Sequence, residues 1–454
     1  MKKRLLVLTL AWATFLAPGF AAAGSQPPNV LLIVADDLGV TDLGVLGKRD
    51  MLTPHIDSIK RQGTSFTQAY VTAPVCMPSR MGFMTGRYQQ RFGMQTLGND
   101  RIGMPATEVN LGQMLKGRGY ATGIVGKWHL GTNPEYRPNV RGFDEFYGFL
   151  NGNTSYYPGS GQFWRNQEEI PKPAYLTDGF GEAAVDFVNR HAGRPFFLYL
   201  SFNAPHAPMQ APDHYLERFN HISDPGRRIY AAMTAAMDDS IGRVLAALRE
   251  KGVADNTLVI FLSDNGGAPQ NYSDNTPYRL GKYEIYEGGL RTPFFVQWKA
   301  GGVRAGAEIA EPVIALDIVP TVLAAVNAST DLVNPLDGVD LLPALRGERG
   351  RLKPDRRLYW RYGPYMCAMR EGDWKILKAG VGENKNPAWE LYNLAQDASE
   401  ENDIAARHPE KLRQLVTAFE AWDNTLPPAI VMDQRLLDGT IWWRKRASLD
   451  GSPD

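Results

Sequence analysis

The residues with the clearest chemical potential surround Cys76, in the segment Val75-Cys76-Met77-Pro78-Ser79-Arg80. Pro78 is favoured at a first helical position, because its missing N–H would be unpaired there anyway. A helix that begins there would direct free N–H groups and partial positive charge toward Cys76, which suits an anion. Arg80 adds a planar guanidinium that matches a tetrahedral oxyanion. The segment predicts either a cysteine nucleophile in an anion-binding pocket or a buried, inert cysteine.

Oxygen-bearing side chains follow two apolar segments that predict strands of a parallel sheet. Asp36 and Asp37 directly follow the first segment, Asn29 to Ala35, while Asp264 and Asn265 follow a later one. In open α/β sheets, ligands bind outside the carboxyl ends of the strands. Three carboxylates and an amide oxygen favour Ca²⁺ or Mg²⁺. Two unrelated Asx turns would give the same pattern, so the residues alone leave both interpretations open.

Basic side chains stand at the ends of other predicted strands. Lys127 and His129 follow one strand, and His206 follows another. Lys282 precedes a further strand. A single His or Lys is more often structural than catalytic, so it is the position beside core strands that makes these residues candidates.

The predicted elements that position these residues form an α/β fold with a large mixed central sheet flanked by helices. Strands and helices alternate up to about residue 345, which is typical of this class. Beyond that point, short strands at 357–361, 366–370 and 374–378 precede a helix at 409–422. We therefore predict a main domain at 24–345. A small C-terminal domain with a short antiparallel sheet, a helix and a tail is predicted at 346–454.

The N-terminus predicts a secretory signal peptide at residues 1–23. Lys2, Lys3 and Arg4 precede an apolar run, and Ala21-Ala22-Ala23 offers a small-residue cleavage site. The alternative is an uncleaved membrane anchor, which the shortness of the apolar run disfavours. We expect an exported protein, periplasmic or secreted, without stable membrane insertion.

Composition limits the partners and the redox chemistry. The chain of 454 residues has 49 basic and 49 acidic side chains, which argues against nucleic acid as a partner. It has two cysteines, Cys76 and Cys367, too few for a disulfide scaffold. Cys367 lies in an apolar segment and is interpreted as a packing residue.

The pattern Cys76-x-Pro78-Ser79-Arg80, followed by Thr85-Gly86-Arg87, resembles the signature of the type I sulfatases. Five further segments are similar to motifs of that family and occur in the same order: Asp36-Asp37-Leu38-Gly39, Gly126-Lys127-Trp128-His129, Pro205-His206-Ala207-Pro208, Ser263-Asp264-Asn265-Gly266-Gly267, and Lys282 with Glu287-Gly288-Gly289.

The resemblance implies an alkaline-phosphatase-like fold and sulfate-ester hydrolysis. It implies that a maturation enzyme oxidises Cys76 to formylglycine, whose hydrate is the nucleophile. It also implies one bound Ca²⁺, with formylglycine completing a shell made by Asp36, Asp37, Asp264 and Asn265.

The same resemblance implies individual catalytic roles. His206 would protonate the leaving alcohol, and His129 would accept a proton when sulfate is expelled. Lys127 and Lys282 would neutralise sulfate oxygens, so that these two lysines and His206 also bind substrate. Arg80 would orient the nucleophile.

The substrate and two rival functions remain open at this stage. Aromatic and amide side chains in residues 144–164 would suit a sugar, but such a loop can equally pack on its own domain. With export, this loop favours a sulfated algal galactan or glycosaminoglycan oligosaccharide. The alternative enzyme is a phosphonate or phosphate ester hydrolase of the same superfamily. A glycan-binding protein with an inactive site is a third reading, and it predicts missing catalytic residues.

Overall fold

The computed structural model describes residues 26–330, 334–348, 350, 352–380 and 386–430. The predicted signal peptide lies outside these residues, as does the end of the C-terminal tail. The strands up to residue 314 are β1 (Asn29–Ala35), β2 (Thr64–Phe66), β3 (Ala69–Tyr70), β4 (Ala121–Lys127), β5 (Glu145–Phe149), β6 (Trp164–Arg165), β7 (Glu168–Glu169), β8 (Phe196–Ser201), β9 (Thr257–Ser263), β10 (Phe294–Gln297), β11 (Ala307–Ile309) and β12 (Val313–Ile314).

Ten of these strands form one mixed sheet in the order β11-β2-β10-β9-β1-β8-β4-β5-β6-β7. Its centre is parallel, because β1 pairs in parallel with both β8 and β9, and β4 pairs in parallel with β8 and β5. The outer pairs β9–β10, β10–β2, β5–β6 and β6–β7 are antiparallel. The predicted large mixed sheet is therefore confirmed.

Helices cover both faces of this sheet. They are α1 (Pro54–Gln62), α2 (Cys76–Thr85), α3 (Leu111–Lys116), α4 (Leu176–His191), α5 (Asp213–Leu216), α6 (Pro225–Glu250), α7 (Glu287–Leu290), α8 (Ile318–Ala325) and α9 (Leu342–Leu345). Side chains of β1 alternate between the two cores: Val30, Leu32 and Val34 pack with α2, α3 and α8 on one face, and Leu31, Ile33 and Ala35 pack with α1, α4 and α6 on the other. A continuous apolar run is thus explained by burial on both sides.

A second, antiparallel sheet follows in the order β13 (Arg357–Tyr362), β14 (Met366–Glu371), β15 (Trp374–Ala379) and β16 (Glu390–Asn393). Helix α10 (Pro409–Asp423) packs on it through Leu415, Phe419 and Trp422. Cys367 of β14 is buried and free in this core, as predicted for a packing residue. No helix of the described ranges is both long and apolar enough to cross a bilayer.

Candidate active site

The candidate site lies at the carboxyl ends of four neighbouring parallel strands. Asp36 and Asp37 follow β1, and Asp264 and Asn265 follow β9, its direct neighbour. On the other side of β1, the segment after β8 carries His206, and β4 ends at Lys127 with His129 beyond it. The sheet order therefore gathers residues that are far apart in sequence at one edge, where α/β folds bind ligands.

Helix α2 brings Cys76 to this edge. The helix begins at Cys76 itself, with Val75 as the N-cap residue, so the expectation that the helix starts at Pro78 is wrong by two residues. Pro78 occupies the third helical position. The first four N–H groups of a helix have no intrahelical partner, so a proline at this position removes no hydrogen bond. Cys76 therefore stands in the first helical turn, close to the free N–H groups.

The ligand atoms of Asp36, Asp37, Cys76 and His206 all lie within 4.8 Å of one another. Two other atoms connect to this group: Nδ2 of Asn265 donates to Oδ1 of Asp37 at 2.8 Å, and the Asp37 backbone N–H donates to Oδ1 of Asp264 at 3.3 Å. All of these side chains except His206 are buried. The structure therefore brings the five predicted metal-binding residues to one place.

The donor set of this cluster fits a hard divalent cation. Oδ1 of Asp36 and Oδ1 of Asn265 are buried and have no hydrogen-bond partner among the described residues. Buried oxygens without a partner are rare and unfavourable in native structures. A cation with oxygen ligands would satisfy both atoms.

Three cationic side chains compensate the carboxylates of this cluster. Nε of Arg80 donates to Oδ2 of Asp264 at 2.8 Å, and its Nη1 donates to Ser201 and Tyr199 of β8. Nζ of Lys127 lies 2.5 Å from Oδ2 of Asp36. The third cation, Lys282, lies 2.7 Å from Oδ1 of Asp37.

These contacts hold the site ionised despite its burial. Burial alone would raise the pKa of Asp36, but Lys127, His206 and Arg80 hold it at about 2. Burial would likewise lower the pKa of Lys282, but Asp37 raises it well above its usual value. Three carboxylates thus balance three cationic side chains. A bound divalent cation would leave the site positive, which suits an anionic ester.

His206 is held with one ring nitrogen facing the carboxylates. Nδ1 lies 2.5 Å from the carbonyl oxygen of Ala207, so Nδ1 carries a hydrogen and Nε2 faces Oδ2 of Asp37 at 3.6 Å. Burial and Lys282 lower the pKa of His206, but Asp37, Asp36 and a hydrogen bond with Cys76 raise it overall. The carboxylates therefore favour the protonated form of His206, which lies next to Cys76.

His129 is held differently. Its Nε2 lies 3.3 Å from Oδ1 of Asp100, whereas Nδ1 is buried and has no hydrogen-bond partner in the described part of the chain. Burial, Lys127 and Arg80 lower the pKa of His129 by more than Asp100 raises it. The two histidines are thus pushed in opposite directions, which is typical of an acid and a base in one site.

The aromatic loop after β5 mostly packs on its own domain. Tyr156 is fully buried, and its hydroxyl donates to the carbonyl oxygens of Asn203 and His206 at 2.7 and 2.8 Å. Phe163 packs against Tyr147 and Phe180. Of the two interpretations of this loop, packing accounts for these aromatics, and Tyr156 supports the backbone that carries His206.

Sequence reasoning missed several contacts of the site. Asp100 lies in a loop, and Asn271, whose Nδ2 donates to Asp37, ends a short 3-10 helix. Neither residue belongs to a recognisable motif. Ser201 gave a usable signal, because a polar residue that ends an apolar strand stands at the ligand-binding edge.

The carboxylates, cationic side chains and two histidines of this site suit an anionic ester, and comparisons with known proteins identify the class of enzyme. The sulfatase family model matches residues 28–328. Human N-acetylgalactosamine-6-sulfatase is 36% identical over 444 residues, covering 91% of this chain and 81% of that protein.

Solved structures are also similar. Ps i-CgsB in complex with k-i-k-neocarrahexaose has a TM-score of 0.85 and 36% identity, covering 94% of this chain and 98% of that one. A phosphonate monoester hydrolase of Agrobacterium radiobacter has a TM-score of 0.66 and 20% identity, covering 89% and 97%, and shows the fold alone. The chain belongs to the sulfatase family and is a sulfuric ester hydrolase.

Proposed function

We propose that this sulfatase removes sulfate from a sulfated glycan, either an algal galactan or a glycosaminoglycan oligosaccharide. We propose further that it uses one Ca²⁺ and a formylglycine made from Cys76 by a maturation enzyme. The main support is the convergence of Cys76 with Asp36, Asp37 and His206, whose ligand atoms lie within 4.8 Å of one another.

Asp36, Asp37, Asp264 and Asn265 would hold the calcium, together with the residue at position 76. When bound, calcium would supply a Lewis acid for a sulfate oxygen, and formylglycine would supply a hydrated aldehyde as nucleophile. Side chains of the protein would transfer the protons, bind the sulfate oxygens and orient the nucleophile.

His206 is placed to act as the general acid. Asp37 and Asp36 raise its pKa, which favours the protonated form, and Nε2 faces the cluster at Cys76 because Nδ1 is bonded to the Ala207 carbonyl oxygen. It would donate its Nε2 proton to the leaving alcohol. His129, with a lowered pKa and an unpartnered Nδ1, would accept a proton when sulfate leaves.

Lys127 and Lys282 would bind sulfate oxygens and stabilise the charge that grows on them in the transition state. Both ammonium groups are buried beside the carboxylates and remain charged, because Asp36 and Asp37 raise their pKa values. Arg80 would orient the nucleophile, since its guanidinium is fixed by Asp264, Ser201 and Tyr199.

The glycan proposal draws on the relatives. The human relative is an N-acetylgalactosamine-6-sulfatase, and the structure of Ps i-CgsB is a complex with k-i-k-neocarrahexaose. The predicted signal peptide is consistent with a substrate outside the cytoplasm. Domain limits of 24–345 and 346–454 remain part of the proposal, with cleavage after residue 23.

The test measures free sulfate released from a panel of sulfated galactan and glycosaminoglycan oligosaccharides. The full chain is coexpressed with a maturation enzyme and assayed with and without Ca²⁺, beside a phosphonate monoester. Calcium-dependent sulfate release from one oligosaccharide supports the proposal and identifies the sugar. Cleavage of the phosphonate ester without sulfate release supports the alternative enzyme instead.

Cys76→Ala provides the matched control for the nucleophile. This variant should lose turnover by at least about 1,000-fold, because the covalent route is gone. Conversion of Cys76 is checked separately, by the mass of the peptide that contains it. Unchanged turnover in the variant would rule out position 76 as the nucleophile.

A further inference from the structure

Asp100 is a carboxylate beside the site that none of the sequence motifs includes. It lies in the connection between α2 and α3, and its side chain is 36% exposed. Oδ1 lies 3.3 Å from Nε2 of His129, and Oδ2 accepts a hydrogen bond from the backbone N–H of Gly152 at 3.2 Å. Its carbonyl oxygen accepts from the backbone N–H of Thr132 at 2.8 Å. Asp100 therefore joins its own loop to the loops after β4 and β5.

The surroundings of His129 are built around this contact. A Cβ atom at Gly152 would lie 2.8 Å from Nε2, so a glycine lets that loop approach the imidazole edge. His129 itself has a left-handed backbone, with φ of 54°, which a non-glycine residue rarely adopts. Its backbone N–H donates to the carbonyl oxygen of Leu150 at 3.0 Å. The ring is thus held in one orientation by backbone and carboxylate together.

We propose that Asp100 is a positioning residue that fixes His129 as the Nε2–H tautomer and leaves Nδ1 as the proton acceptor. In a neutral imidazole one nitrogen donates and the other accepts. A carboxylate accepts only, so the nitrogen that faces Asp100 carries the hydrogen. The remaining nitrogen, Nδ1, is buried and without a hydrogen-bond partner among the described residues.

The inference rests on the proposed function, in which His129 accepts a proton. That proton would arrive at Nδ1 while Nε2 keeps its own hydrogen on Asp100. The ring then gains one positive charge, which the carboxylate stabilises at the moment it forms. With the opposite tautomer, Nδ1 would already carry a hydrogen and could not accept another.

Asp100→Asn is the main test variant, because it keeps the shape of the side chain and removes its charge. Its amide can present either an oxygen or an NH₂ group to Nε2, so both tautomers of His129 become accessible. We expect kcat to fall by about 100-fold while KM changes by less than about threefold. Asp255→Asn is the control, since Asp255 pairs with Lys299 on an exposed surface.

A double variant separates positioning from a merely structural role. If Asp100 acts through His129, adding Asp100→Asn to His129→Gln should lower kcat no further. If the double variant lowers kcat by the product of the two single-variant factors, the proposal is contradicted. Thermal unfolding midpoints of all variants confirm that each remains folded.

The tautomer can be observed without substrate. In the full chain labelled with ¹⁵N-histidine, the His129 resonances are assigned by their loss in His129→Gln. We expect a protonated Nε2 and an unprotonated Nδ1 in the wild type, and a mixture in Asp100→Asn. An Nδ1–H tautomer in the wild type would overturn the inference.

The failures of the two proposals are distinguishable. A wild-type protein that releases no sulfate from any substrate would overturn the proposed function and this inference with it. A wild type that turns over beside an equally fast Asp100→Asn variant would overturn this inference alone.

Discussion

Nε of Arg80 donates to Oδ2 of Asp264 at 2.8 Å, and neither side chain is exposed. Nη2 of the same guanidinium lies 3.8 Å from Oδ2 of Asp36. One side chain from α2 therefore compensates carboxylates that follow two neighbouring strands.

Arg80→Met should lower the free energy of unfolding by about 3–5 kcal/mol in calcium-free buffer, because it leaves the buried Asp264 carboxylate without its paired cation. Arg80→Lys keeps the charge and should lose less. Chemical denaturation measures both. Arg190→Met is the control, since Arg190 pairs with Glu145 at the surface and its loss should change the free energy by at most about 1 kcal/mol. Equal losses in the Arg80 and Arg190 variants would contradict this account.

Calcium should stabilise the protein through the unpartnered oxygens of Asp36 and Asn265. At a calcium concentration of 100 times Kd, binding to the folded state alone adds about 2.7 kcal/mol to the free energy of unfolding. Thermal unfolding across a calcium series, started from chelated protein, measures this effect. Asn265→Ala removes one ligand oxygen and should shift the midpoint of the series to higher calcium concentration. Asn424→Ala, at an exposed position, should leave the midpoint of the calcium series unchanged. A wild-type protein whose thermal unfolding does not change with calcium would contradict the metal site.

The rate should depend on pH through His129. Burial, Lys127 and Arg80 lower the pKa of this imidazole, so it stays neutral below the usual value of 6.5. Since the base must be neutral, kcat should be retained at pH 6.5 and should fall about tenfold per pH unit only below the lowered pKa. Asp36 does not produce this limb, because its pKa is about 2. Sulfate release at saturating substrate and calcium, with recovery checked at pH 7.5, tests this. An acidic limb centred above 6.5 would exclude His129 as the base.

Much of the central architecture could be predicted, because a parallel strand buried on both faces must be apolar throughout. The run from Asn29 to Ala35 becomes β1 for this reason. The edge strands could not be predicted in the same way. β6 and β7 have two residues each, and no hydrophobic period can be read from so short a segment.

The contacts around the catalytic candidates were less accessible than the candidates themselves. Asp100 meets His129 only because two loops converge above the sheet edge, and no spacing in the chain encodes that approach. Tyr156 shows a different limit. Its residue type fits a sugar platform as well as a buried support, and only its hydrogen bonds to Asn203 and His206 decide between them.

We expect the central sheet and the C-terminal sheet to unfold together, because a buried lysine of the C-terminal sheet forms an ion pair with a carboxylate of α7. Nζ of Lys375, on β15, lies 2.9 Å from Oε1 of Glu287 in α7 and 2.8 Å from Oε1 of Glu400. Lys375→Met removes the ammonium group that both buried carboxylates share, although Glu287 keeps Arg291 at 3.5 Å. The loss should lower the free energy of unfolding by about 3 kcal/mol. Adding Glu400→Gln removes one of those charges and should recover part of the loss.

Chemical denaturation, monitored both by tryptophan fluorescence and by sulfatase activity, tests whether the two sheets unfold together. Lys299→Met is the control, because that side chain is 76% exposed and its pairing with Asp255 should contribute at most about 1 kcal/mol. We expect both probes to report a single coincident transition in the wild type and in Lys375→Met, displaced to lower denaturant in the variant. If activity were lost in a separate, earlier transition while Lys375→Met left the main one unmoved, the two sheets would be energetically independent. Lys375 would then contribute nothing measurable to the free energy of unfolding, despite its contact with Glu287.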